Sequence, residues 1–121
     1  MTPPETPLNP IRGEIWQIMF DPAKGAEVRK SRPAVVLNIP AVGRLPLRIV
    51  VPLTGWKDQW STVPWLVKVK PTRRNGLTKA SAADAFQVKS LSIDRFQSKL
   101  GELNADELEQ IAASVCLCVG A

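Results

Sequence analysis

The amino-acid sequence predicts a mainly β chain with one C-terminal helix (α+β), built as a small SH3-like barrel of about five to seven antiparallel strands. Three observations predict it. Short apolar runs of β-type composition recur between turn signals. Asn75-Gly76, a strong hairpin signal, sits between two of them. Beyond Asn104 the apolar spacing becomes helical, through Leu108, Ile111, Ala112, Val115 and Cys118.

Taken in order, Gly13 to Phe20 (GEIWQIMF) reads as a first strand, with Trp16 among its core residues. Asp21-Pro22 ends it, because a residue before proline leaves regular pairing and aspartate favours turns. Ala23 to Ser31 is polar and contains Gly25, so it reads as a loop. Pro33 can open a strand, and Ala34 to Leu37 is continuously apolar, as expected of a strand buried on both faces. Leu47 to Leu53 is a third strand and Leu66 to Val69 a fourth. Thr72 to Thr78 carries the Asn-Gly turn, and Ala85 to Leu91 (AFQVKSL) reads as a fifth strand. Ser92 is placed to cap a short helical turn through Asp94, Arg95 and Phe96. Asn104 and Glu107 form a capping-box pattern at the start of the final helix.

A chain of 121 residues is one domain by length. Residues 1–11, with prolines at 3, 4, 7 and 10, read as a flexible N-terminal tail, leaving 12–121 as the folded unit. The tail lacks the apolar stretch of a signal peptide, and no apolar run approaches about 18 residues, so a cytoplasmic protein without a membrane span is expected. Net charge is +5 and uneven: residues 1–80 hold 13 Lys/Arg against 5 Asp/Glu, the remainder 3 against 6. A basic body suits a polyanion or an acidic partner, although ordinary solubility charge reads the same way. There is no histidine, which removes the usual general base and metal ligand. The two cysteines, Cys116 and Cys118, cannot close a zinc site alone and are expected to be small hydrophobes on a helix. Neither metal nor cofactor is expected.

Five short motifs occur in order: GEIW at 13–16, DPAKGAE at 21–27, RPAVVL at 32–37, VPLT at 51–54 and QVKSL at 87–91. With the capped helix that follows, they resemble the MazF/PemK family of toxin endoribonucleases from bacterial toxin–antitoxin modules, over roughly residues 12–119. The resemblance implies a CcdB/MazF-type barrel, a homodimer, and an antitoxin that blocks the RNA groove. It implies metal-independent cleavage of single-stranded RNA at a short sequence, inhibiting growth. Relatives on the same fold poison gyrase instead, so a non-enzymatic poison, or a degenerate relative that only binds antitoxin or nucleic acid, stays open at this point.

Cleavage without metal uses the ribose 2′-OH as nucleophile and leaves a 2′,3′-cyclic phosphate and a 5′-OH. Such a site must help remove the 2′ proton, stabilise the phosphorane and protonate the leaving oxygen. Arg32, in KSRPA, carries the family's catalytic arginine, and a guanidinium suits a phosphate geometrically and stays charged. Alone, the same arginine would be read as a loop cap or a partner of Glu27. The family's threonine falls on Thr54; alone it would be a turn former. Without histidine, Glu27 is the best acceptor for the 2′ proton, or else it orients Arg32.

Lys24, Arg29 and Lys30 on the same loop, with Lys57 and Lys89, are candidate RNA contacts or plain solvated charge. Gln87 matches the family's glutamine, whose amide can read a base edge or hold a phosphate. Many relatives carry an acid just before it. Here that position is Phe86, with Asp84 two residues earlier, expected on the same strand face. Trp56, Trp60 and Trp65 cluster after Thr54 and suit base stacking, an antitoxin groove or a dimer contact.

Overall fold

The computed structural model describes residues 8–20, 25–26, 30–42 and 45–121. Seven strands form one antiparallel sheet: β1 (Glu14–Met19), β2 (Ser31–Val36), β3 (Leu47–Gly55), β4 (Leu66–Val69), β5 (Ser81–Asp84), β6 (Lys89–Ser92) and β7 (Phe96–Glu102). The pairing order is β4-β5-β3-β2-β1-β7, with β6 on β3. Helix α1 (Ala105–Val119) completes the chain.

Strand β3 organises the sheet because it changes partner along its length. Residues 47–50 pair with β6, and Leu53–Gly55 pair with β5. This corrects the expected single strand over 85–91. One straight strand cannot follow β3 through the change, so the chain breaks into β5, a 3-10 turn at Ala85–Gln87, and β6. The Asp84 carboxylate caps that turn by accepting from the Phe86 N–H. Strand β7 has no counterpart in the sequence reading. Among the described residues it pairs only with β1, through irregular register, and its Gln, Lys and Gly content is poor β composition. Strand β2 starts at Ser31, with Pro33 inside it. Pairing with β3 begins one residue later, at Ala34, which suits a residue with no N–H to donate.

Alternation along the strands divides the apolar residues between two faces. One face buries Ile15, Val35, Val51, Leu53, Val69 and Ala83 under α1, which contributes Ile111 with Leu108, Ala112 and Val115 packed beside it. The other buries Trp16, Ile18, Phe20, Ala34, Val36, Val50, Leu91 and Phe96. The helix starts where its cap predicts, with Asn104 Oδ1 accepting from the Glu107 N–H at 2.8 Å. It ends on Gly120 at φ 74°. Cys118 is half-buried and Cys116 exposed, so only Cys118 behaves as the expected packed hydrophobe; neither is in a disulfide.

The sheet stays open between β4 and β7, and the β4–β5 loop spans the gap. Glu102 N–H donates to the Arg74 carbonyl at 3.0 Å. Asn75 is almost fully buried: its Oδ1 accepts from the N–H groups of Thr72 and Leu77, and its Nδ2 donates to Lys70. The predicted Asn-Gly turn is thus also the clasp of the barrel. At the other end, the buried Arg48 donates to the carbonyls of Pro10 (2.8 Å), Leu45 (2.7 Å) and Leu47 (2.8 Å) and to Asn9 Oδ1. Pro10 itself is fully buried, so residues 9–10 are bound to the body of the domain.

A charged cluster fastens β1 to β7. The buried Glu14 carboxylate accepts from Ile11 N–H and Trp16 Nε1 and pairs with Lys99 Nζ at 2.8 Å. Burial alone would raise the Glu14 pKa, but Lys99 and the two N–H donors outweigh it and hold the carboxyl below its ordinary 4.5. A lowered folded-state pKa contributes stability that is present above the unfolded value and lost as pH falls through the folded one. Urea midpoints should therefore fall below about pH 4.5, and Glu14→Gln should flatten that acid limb while lowering stability at neutral pH.

Candidate nucleic-acid interface

Register places three of the predicted residues, Arg32, Thr54 and Lys89, on one face of the sheet. Arg32 lies two residues before Ala34, on the same face as Ala34 and Val36. Thr54 lies two residues after Pro52, which pairs with Ala34, so Thr54 shares that face and, like Arg32, stands just beyond the paired stretch of β2 and β3. Lys89 pairs with Val50, and Ala82 with Thr54, which brings Lys89, Ala82 and Asp84 to the same side. Helix α1 covers the opposite face; the middle of this one is the second buried cluster, and only its margin, with Arg32 exposed and Thr54 and Lys89 half-buried, reaches solvent.

Arg32 is exposed, and among the described residues its side chain makes no hydrogen bond or ion pair. The apolar run starts at Ala34, two residues further on, so the guanidinium incurs no burial cost. Just before it, Lys30 adopts φ 61°, a left-handed conformation that costs a non-glycine residue roughly 1–2 kcal/mol. Its carbonyl accepts from the Phe20 N–H at 2.9 Å, which ties the start of β2 to the end of β1. Lys24, Glu27 and Arg29 lie outside the described residues.

A cleft of about 520 Å³ opens at the edge of this face, within the roughly 300–1,000 Å³ usual for ligand clefts. Its lining includes Ala26, Trp65, Asp84, Phe86, Gln87 and Lys89. Asp84 organises it: one carboxylate oxygen accepts from Phe86 N–H (3.2 Å) and the other from Gln87 Nε2 (3.1 Å). Lys89 Nζ stands 5.8 Å from the centre of the Phe20 ring, so its charge is positioned over an aromatic face.

Two sequence expectations change here. Phe86 sits in a 3-10 turn, not on a strand face with Asp84, and is 71% exposed. The three tryptophans do not form one group either. Trp65 borders the first cleft. Trp56 packs edge-on to Trp60 at 6.2 Å and lines a second cleft, between β4 and α1, with Lys68 and Gln110. Lys57 lies over the Trp60 ring and Lys68 over Trp56. Turns at 55–65 separate the rings, a distance in space that proximity in sequence concealed. The sequence reading did not give Asp84 its part in orienting Gln87. The available signal was an aspartate directly before a short turn, the usual cap residue.

Among the described residues, no group of three His, Cys, Asp or Glu side chains is placed to hold a metal ion, and no helix is long and apolar enough to cross a membrane.

Residues 11–119 match the profile described as "PemK-like, MazF-like toxin of type II toxin-antitoxin system". The chain belongs to this family. It is 34% identical over 106 residues to Endoribonuclease MazF9 of Mycobacterium tuberculosis, covering 83% of this chain and 87% of that one. It is 32% identical over 114 residues to Endoribonuclease toxin MazF of Escherichia coli K12, covering 92% and 95%. MazF of Deinococcus radiodurans superposes with a TM-score of 0.79 at 25% identity, over 94% of this chain and 99% of that one. A mycobacterial endoribonuclease solved in complex with its cognate antitoxin shares the fold at a TM-score of 0.71 and 20% identity, over 92% and 95%. The mainly β chain with one terminal helix is thus the MazF-type fold.

Proposed function

We propose that this MazF/PemK-type chain is the toxin of a toxin–antitoxin pair, a metal-independent endoribonuclease that cuts single-stranded RNA, mRNA included, at a short sequence. The observation that carries the reading is the shared face of Arg32, Thr54 and Lys89, in a chain whose family and fold are those of relatives named endoribonucleases. On that face a scissile phosphate meets the Arg32 guanidinium, which binds two of its oxygens and neutralises charge as the phosphorane forms. The Thr54 hydroxyl donates to a phosphate oxygen. The 2′-oxygen attacks phosphorus as its proton passes to Glu27, and the P–O5′ bond breaks as the leaving 5′-oxygen takes a proton from solvent. Lys24, Arg29 and Lys30 guide the approaching backbone, while Gln87 and Lys89 hold the nucleotide in the cleft. Trp56 and Lys57 contact RNA further along, beyond β4.

The unit working in the cytoplasm is a homodimer held in check by its cognate antitoxin. Leu47 and Ile49, on one face of β3, stay 44% and 42% exposed and suit such an assembly. The toxin domain proper is 12–121. Relatives named endoribonucleases at 34% and 32% identity weigh against a gyrase poison or a binding-only relative. Incubating the purified chain with a long single-stranded transcript in excess EDTA tests the reading: discrete cuts with 5′-OH ends are expected, and intact RNA sinks it.

A further inference from the structure

The cleft beside Gln87 presents two large rings to solvent. Trp65 is 41% and Phe86 71% exposed, with ring centres 6.3 Å apart and planes tilted by 53°. Neither ring is loosely held. Ala85 N–H donates to the Trp65 carbonyl at 2.9 Å, joining the two segments, and Asp84 caps the turn that carries Phe86. Aromatic side chains on fixed backbone lose little freedom when a flat group stacks on them. A cation and a carboxamide border the rings: Lys89, and Gln87 held by Asp84. Asp84 engages two N–H donors, which offsets its repulsion of a polyanion. The cleft also continues the sheet face of Arg32 and Thr54.

We propose that Trp65 and Phe86 form a stacking platform for one unpaired nucleobase of the RNA substrate. Lys89 faces the adjoining phosphate, and Asp84 is a positioning residue that aims Gln87 at the base edge. An aromatic platform thus takes the place of the acid that many relatives carry before this glutamine, shifting recognition there from hydrogen bonding toward stacking. The proposal rests on the endoribonuclease reading above and deepens it.

The test begins with the cut sites of the wild-type chain on a long transcript in EDTA. An oligoribonucleotide spanning the strongest site, with a 2′-O-methyl group on the cleaved ribose, then binds without being cut. Binding is followed by tryptophan fluorescence. Quenching is expected in wild type and should persist in Trp56→Phe, be reduced in Trp65→Phe, and be abolished only in the Trp56→Phe/Trp65→Phe double variant. Phe86→Ala and Phe86→Leu should weaken binding about 5- to 150-fold, and Phe86→Tyr should leave it within a few-fold. Leucine keeps apolar bulk without the ring, and a melting curve for each variant confirms folding. Unchanged affinity in Phe86→Ala and Phe86→Leu, with quenching in Trp65→Phe undiminished from wild type, overturns the platform. Loss of antitoxin binding at unchanged RNA affinity also overturns it, in favour of a protein-docking surface. No cutting by the wild-type chain overturns instead the endoribonuclease reading.

Discussion

Arg32→Ala should lower the rate of RNA cleavage in EDTA by about 10²–10³-fold, the usual loss when one preorganised charge donor is removed from a developing oxyanion. The loss should fall on kcat more than on substrate affinity, because the guanidinium gains most where phosphorane charge builds up. Stability should change by no more than about 0.5 kcal/mol, since Arg32 is exposed and contacts none of the described side chains through hydrogen bonds or ion pairs. Arg32→Lys should recover only part of the rate: an ammonium keeps the charge but not the two-pronged geometry. Single-turnover cleavage with melting curves for the same samples checks all of this. Wild-type rates in Arg32→Ala would remove Arg32 from the site.

Gly76→Ala should be the most damaging small substitution in the clasp between β4 and β7. A Cβ at this position would stand 2.0 Å from the Leu100 carbonyl oxygen, and the backbone sits at φ +70°. Backbone cannot swing aside as a flexible side chain can. Steric conflict and left-handed strain together should cost on the order of 3–5 kcal/mol, a large share of the roughly 5–15 kcal/mol that holds a domain folded. A fall in melting temperature of about 10 °C or more is expected by calorimetry. The clasp also holds Arg74 against Glu102, so the damage should appear as loss of native sheet and not as a local change at the RNA face.

What the sequence made legible follows from the range of the interactions involved. The Asn104 cap, the helical face of α1, the Asn75-Gly76 turn and strands β1 to β4 depend on nearby residues, and each appears where local chemistry puts it. Long-range constraints were hidden. Strand β7 is made by its neighbour β1 and not by its own composition. The break at 85–87 arises because β3 changes partner, which nothing within AFQVKSL announces. Arg48 is read from sequence as one more cation, but three carbonyls and one amide oxygen from Asn9 to Leu47 converge on it in the interior.

The candidate site divides the same way. Arg32, Thr54 and Gln87 could be singled out because short motifs surround them. The Asp84–Gln87 contact and the Trp65–Phe86 pair appear only once the chain turns back at β5. Trp56 and Lys57 lay close to Trp65 in sequence yet face a different cleft.

The central claim is that the ribose 2′-OH is the nucleophile on the Arg32–Thr54 face. The most direct measurement compares two oligoribonucleotides spanning the same cut site, one all-ribose and one with a single 2′-deoxy sugar on the 5′ side of the scissile phosphate, in excess EDTA. The account predicts cleavage of the first to a 2′,3′-cyclic phosphate and a 5′-OH, and no cleavage of the second at that bond. Cleavage of the deoxy-substituted strand at the same bond would contradict it.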